Sequence, residues 1–218
     1  MSTLIAGTLA VGGELRDGWV YFRRTTWLWA VVLSFGLLNA IHTGAIFTLG
    51  PAVAKETIGE QGWGLALSAE SVGLLLMTVV MLRVRLERPL LLGMIGIAAL
   101  GVPMVMLGAD PQLVAVMVAM FVAGAGTEVF SMGWSLAMQE HVPAAMLSRA
   151  YSYDALGSFV AMPIGQLAYG PLGAAFGYED VLIVSGVVYV GVCLLTLLSS
   201  SVRELPRVTE PSDARAVT

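Results

Sequence analysis

The chain is poor in the residues from which most enzyme centres are built. It has one cysteine, Cys193, so no internal disulfide or paired-thiolate site can form. With two histidines, it offers no His/Cys/carboxylate group at metal-ligand spacing. Charged residues make up only 12% of the chain, against about 25% in a soluble domain. No phosphate-binding loop is present: Gly124-Ala-Gly126-Thr127-Glu128 lacks the lysine and lies in an apolar run. Gly133-Trp134-Ser135-Leu136 has the start of an intramembrane serine-protease motif but not its second glycine. No nucleophile, base and metal converge, so the expectation is a non-enzyme without cofactor or nucleic-acid partner. The first thirteen residues are mildly apolar, but lack a basic leader and are too short to span.

What the chain does have is apolar length. Hydrophobic residues reach 57%, gathered into six runs at about 27–53, 62–82, 90–107, 112–138, 153–175 and 181–199. A hydrocarbon core of about 30 Å needs about 20 such residues in a helix. Runs this long exclude the alternating pattern of a barrel, leaving helices as the only structure that satisfies the backbone in lipid. The predicted fold is an all-α membrane protein with six transmembrane helices. Every Lys and Arg except Lys55 falls on one side of that pattern, while Glu56, Glu60, Asp110, Glu179 and Asp180 lie on the other. Basic residues stay in the cytoplasm, so both termini are expected there, in a plasma-membrane protein. Trp27 and Trp29 are expected at the inner interface, Trp63 and Tyr178 near the outer one.

Three segments follow. Residues 1–26 read as a cytoplasmic amphipathic lead-in, residues 27–199 as the six-helix bundle, and residues 200–218 as a disordered charged tail. Helices one to three and four to six occupy similar lengths, which permits a 3+3 inverted repeat. Glycine and proline concentrate in the third and fifth helices, at Gly101 with Pro103 and around Pro163 and Pro171. That placement favours bending there, alongside close packing.

An ionisable side chain in a bilayer costs roughly 2.5–3.5 kcal/mol and marks pathways by default. Glu128 lies mid-way along the fourth run, and Gly124, Glu128, Ser131 and Ser135 recur at helical spacing. That stripe suits either the wall of a watery cavity or a hydrogen-bonded packing face. His42 and Glu70 lie at matched depths, about 14 and 12 Å from the outer ends of their helices at ~1.5 Å per residue. They are a candidate proton-sharing pair if their faces meet; otherwise each makes a local bond. Asn39, His42 and Thr43 give the first helix a polar face. Asp154 and Arg149 read as a salt bridge or helix-start charge at the inner end of the fifth helix.

Several stretches, in order, resemble a known family. GGELRDGWVYFRRTTWLW is similar to the central loop entering the seventh helix of major facilitator superfamily exporters. RVRLERPLLLG resembles their basic loop between helices eight and nine, and QEHVPAAMLSRAYSYDALGSFVAMPIGQLAYGPLGAAFG their tenth-to-eleventh loop and eleventh helix. The likeness is closest to the drug- and siderophore-exporting branch, which includes macrolide efflux proteins and the enterobactin exporter. It covers about residues 12–205 but only the C-terminal six-helix half of a twelve-helix member. It implies proton-coupled efflux of small amphipathic molecules, and a gating role for Arg83, Arg85 and Arg88, all that remains of the loop motif. It further implies a second six-helix half, from another chain or a second copy. An inactive truncated remnant or scaffold is the alternative, ahead of a membrane-embedded enzyme. The orientation is directly testable: reporter fusions after Thr218 and at Glu60 are expected to report opposite sides, and a cytoplasmic signal at Glu60 overturns the topology.

Overall fold

A computed structural model describes residues 21, 23–84 and 87–207. Six helices in it are long and apolar enough to cross a bilayer: α1 (Thr26–Glu56), α2 (Gly59–Met81), α3 (Pro89–Ala109), α4 (Leu113–His141), α5 (Ala144–Phe176) and α6 (Tyr178–Leu198). A short α7 (Ser200–Arg203) follows, and no strand occurs among the described residues. The lead-in before Tyr21 lies outside the described residues.

The helix ends depart from the hydropathy runs. α5 begins at Ala144 rather than near 153, and only Val142 and Pro143 separate it from α4. Gln139, Glu140 and His141, then Ser148, Arg149 and Ser152, continue the two helices in polar sequence, beyond the apolar part. Hydropathy reports depth in lipid, not where a helix stops. The expected disorder from residue 200 also fails for residues 200–207. Val202 is fully buried, and Arg207 N–H donates to Glu87 O at 3.2 Å. Residues 208–218 lie outside the described residues.

Proline interrupts α3 as expected, but it leaves α5 unbroken and acts instead on α1. α3 is interrupted at Ala99–Leu100, where N–H groups reach back three residues (Ala99 to Gly96, Leu100 to Ile97, Val102 to Ala99). Pro103 has no N–H for the Ala99 carbonyl, which Val102 takes instead. In α1 the residues Thr43–Leu49 form a π-helical stretch, and Gly50 N–H reaches Ala45 O, five residues back. Pro51 cannot donate to Phe47 O, and the wider turn absorbs the mismatch. By contrast α5 runs unbroken through Pro163 and Pro171.

The pairing of helices is regular. α1 packs along α5, α2 along α4, and α3 against α4 and α6, with a lighter α1–α6 contact. Exchanging helices one to three for four to six maps the α1–α5 pair onto α4–α2 and returns α3–α6 to itself. This is the pairing a 3+3 repeat requires. The core lies around α3, α4 and α6, where Met94, Met104, Met120, Leu182 and Tyr189 are enclosed. In the most apolar windows of α2 and α5 only 11% of residues are buried, against 33–50% for the other four helices.

Glycines set the closest contacts. A Cβ on Gly124 would collide with the Glu70 carbonyl, and one on Gly73 with the Phe121 carbonyl, so α2 and α4 touch backbone to backbone. Gly96 and Gly126 do the same for α3 and α4, Gly101 and Gly186 for α3 and α6, and Gly165 meets the Ala40 carbonyl between α5 and α1. In lipid, helix association rests on such van der Waals contact rather than on a hydrophobic drive. Gly64, on α2, has nothing within 4 Å of an added Cβ. Gly124→Ala is therefore expected to destabilise the purified protein by about 1–3 kcal/mol. Gly64→Ala should be neutral or slightly stabilising through helix propensity. Thermal unfolding in detergent checks both, and equal effects would contradict the contact.

Candidate functional site

α4 carries the one intramembrane carboxylate of the fourth span on an open face. Glu128, Ser131 and Ser135 line a single cavity of about 490 Å³, together with Gln139 and Leu136 further along α4, Met81 and Val84 at the end of α2, and Arg207. Spacings of three and four residues put these α4 side chains on one side of the helix. Gly124 does not join them, because α2 covers it. The polar stripe is thus divided: its glycine packs, and its three polar members face space.

The other candidates separate. Asn39 Nδ2 donates to Ser158 Oγ at 3.1 Å, and Thr43 Oγ1 donates to Asn39 O at 2.8 Å and Met162 O at 3.1 Å. Both residues are buried, so this face of α1 binds α5 and lines no cavity. His42 turns away from it; its ring meets Phe47 edge-on at 5.4 Å, and its Nε2 is enclosed without a hydrogen-bond partner. No hydrogen bond or salt bridge joins His42 to Glu70. Glu70 is half-buried on α2, within electrostatic reach of the enclosed Tyr189 hydroxyl of α6. Matched depth did not bring the two together, because α1 packs on α2 through its outer segment Gly50–Glu56 and not at the level of His42.

At the basic end, Arg83 and Arg88 are exposed and flank the α2–α3 connection; Arg85 lies outside the described residues. Arg149 stands within α5 rather than in a loop, with an Nη1 contact to Met146 Sδ at 3.4 Å. Asp154 is well inside α5, not at its start. It accepts a hydrogen bond from Trp134 Nε1 of α4 at 3.0 Å, so the helix-start reading fails and the aspartate ties α5 to α4.

Trp134 belongs to a ladder of rings that the sequence reading missed. Phe35 stacks on Phe130 at 4.6 Å, Phe130 lies parallel to Trp134 at 6.5 Å, and Trp27 meets Trp134 and His141 edge-on at 6.0 and 6.1 Å. These rings bridge α1 and α4. Trp27 is consequently a packing residue at 8% exposure, and Trp63, at 9%, is buried where Gly50 of α1 comes close, while Trp29 and Tyr178 remain exposed as an interfacial belt requires. The signal was present in the sequence: 130, 134 and 141 share a face of α4, and 27 and 35 a face of α1. A second cleft of about 490 Å³ between α5 and α6 is walled by apolar residues and the Tyr169–Ser185 hydroxyl pair. Its one ionisable group besides Tyr169 is Asp180, at the start of α6.

No protein-family model, curated protein or solved structure matches the chain. The fold alone defines the class: an all-α, multi-pass membrane protein with six candidate spans among the described residues. Within it, the Trp134–Asp154 bond makes a sharp prediction. Asp154→Ala leaves an indole N–H unpaired and should cost about 1–3 kcal/mol, whereas Asp154→Asn keeps an acceptor and should cost less. Chemical or thermal unfolding of the two variants checks this. Equal losses, or no coupling to Trp134→Phe in a double-mutant cycle, would refute it.

Proposed function

We propose that this chain is a six-helix half of a proton-coupled efflux transporter of the major facilitator type, carrying small amphipathic molecules across the plasma membrane. In this reading both termini are cytoplasmic, and the solute pathway runs between this bundle and a second six-helix half. The observation that carries the proposal is the cavity on α4, where the Glu128 carboxylate faces open space beside Ser131 and Ser135. A carboxylate at membrane depth is costly unless water, a solute or a proton meets it.

The uncovered helices support the second half. α2 and α5 are the least covered of the six helices, and α5 exposes the Gln166 amide, a group ill-suited to lipid tails. Gly64 and Gly170, on the same two helices, have no neighbour where a Cβ would stand, which leaves room for another helix to approach closely. The two helices are also equivalent in the 3+3 pairing, so a partner bundle would meet both. Binding at mid-membrane between two such halves, with one rocking on the other, is how these folds alternate access.

Glu128 is assigned the coupling role, as the carboxylate that loads and releases a proton. Glu128→Gln keeps shape and hydrogen-bonding capacity but cannot titrate. In any active assembly it is expected to abolish proton-driven efflux while leaving membrane insertion intact, and Ser131→Ala is expected to be milder. Efflux into an imposed pH gradient, measured in proteoliposomes, decides this. Normal pH-dependent efflux by Glu128→Gln would remove Glu128 from coupling and point to His42 or Glu70. Transport by a verified monomer reconstituted alone would overturn the need for a second half.

A further inference from the structure

The segment after α6 crosses the basic end of the bundle and is fastened on both sides. Val202 is fully buried and Leu205 packs against the core. Beyond them, Arg207 N–H donates to Glu87 O of the α2–α3 connection at 3.2 Å, and Arg207 Nε donates to Glu140 Oε1 near the end of α4 at 3.3 Å. The side chain so placed lines the Glu128 cavity. An arginine carries five N–H donors. One is taken by Glu140, and the four on the terminal nitrogens have no partner among the described residues. This guanidinium is oriented by one carboxylate while its planar fork stays available, the geometry suited to an oxyanion. Both partners are more than half buried, at 35% and 15% exposure, so the carboxylate holds the guanidinium in one orientation and aims the fork.

Glu128 stands at the other end of the same cavity. From Glu128 to Gln139 the helix advances about 16 Å, and Ser131, Ser135 and Gln139 project between as a polar rail at helical spacing. The cavity has a carboxylate deep in the bundle and a guanidinium at its mouth.

We propose that Arg207 is a specificity-determining residue that makes the mouth of this cavity anion-recognising, so that the site takes a zwitterionic amphipath with its acidic group at Arg207 and its basic group toward Glu128. The inference deepens the transport reading and takes its biological meaning from it. Its test measures the charge of the cavity without transport, so either can fail alone.

The test uses the full chain in detergent at low ionic strength, with Cys193→Ala and single cysteines introduced by Ser135→Cys or Ser131→Cys. The probes are two methanethiosulfonates of similar size, the anionic ethylsulfonate and the cationic ethyltrimethylammonium. Their rate ratio is normalised to Glu60→Cys at the opposite end. At Ser135→Cys the anionic reagent is expected to be preferred. Arg207→Gln should lower that preference about fivefold, Arg207→Glu should invert it, Arg207→Lys should keep most of it, and added salt should weaken it. Glu140→Gln removes the ion pair but leaves the guanidinium, and should preserve the preference. At Ser131→Cys the ratio should shift toward the cationic reagent, a shift that Glu128→Gln removes. A ratio unchanged by Arg207→Gln overturns the proposal. So does failure of both reagents to label Ser135→Cys, or a Glu140→Gln variant behaving like Arg207→Gln, which would reduce Arg207 to a strut.

Discussion

Backbone meets backbone where α4 crosses α2 and α3, at Gly124 against Glu70 and Gly126 against Gly96, and the arrangement of the whole bundle depends on that contact. In lipid there is no hydrophobic reward for joining one apolar helix to another. What remains is dispersion between surfaces that fit closely, and glycine allows the closest fit. The contact also sets the rotation of α4 about its own axis. With Gly124 and Gly126 committed to neighbours, the remaining faces of the helix have no freedom to be elsewhere.

Those remaining faces divide the work of the molecule. One carries Phe130, Trp134 and His141, whose rings reach across to Trp27 and Phe35 of α1. Another carries Glu128, Ser131 and Ser135 and opens on the cavity. The Asp154 carboxylate holds Trp134 from α5, so the aromatic ladder is tied to a third helix. A single helix of 29 residues thus presents a packing face, a bridging face and a polar face. The sharp division between them is possible because side chains three and four residues apart share a direction.

Much of this was open to reading before any coordinates. The six spans follow from local transfer energetics, in which each apolar residue contributes where it stands. The grouping of Glu128 with Ser131 and Ser135 follows from helical period alone, and the bend near Pro103 from the N–H that proline lacks. Period could not say that α2 would cover Gly124 in the same stripe. Nor could depth say that His42 and Glu70 stay apart, since depth is a position along one axis, and meeting requires the two helices to be neighbours there and turned toward each other. The Asn39–Ser158 and Trp134–Asp154 bonds were hidden for that reason: each joins residues whose helices had first to be turned toward each other.

The sequence by itself determined that this chain is a bundle of six membrane helices, which of its faces are polar, and that its basic residues gather at one end. Hydropathy and helical period are properties of neighbouring residues, additive along the chain, and survive without knowledge of any fold. Only the tertiary structure decided that the polar face of α4 opens on a cavity while that of α1 is sealed against α5. It alone brought Arg207 beside Glu140 and into the cavity that Glu128 lines, from a segment that composition reads as disordered. Such choices rest on pairwise contacts between distant segments. No residue carries their energy until its partner has been placed.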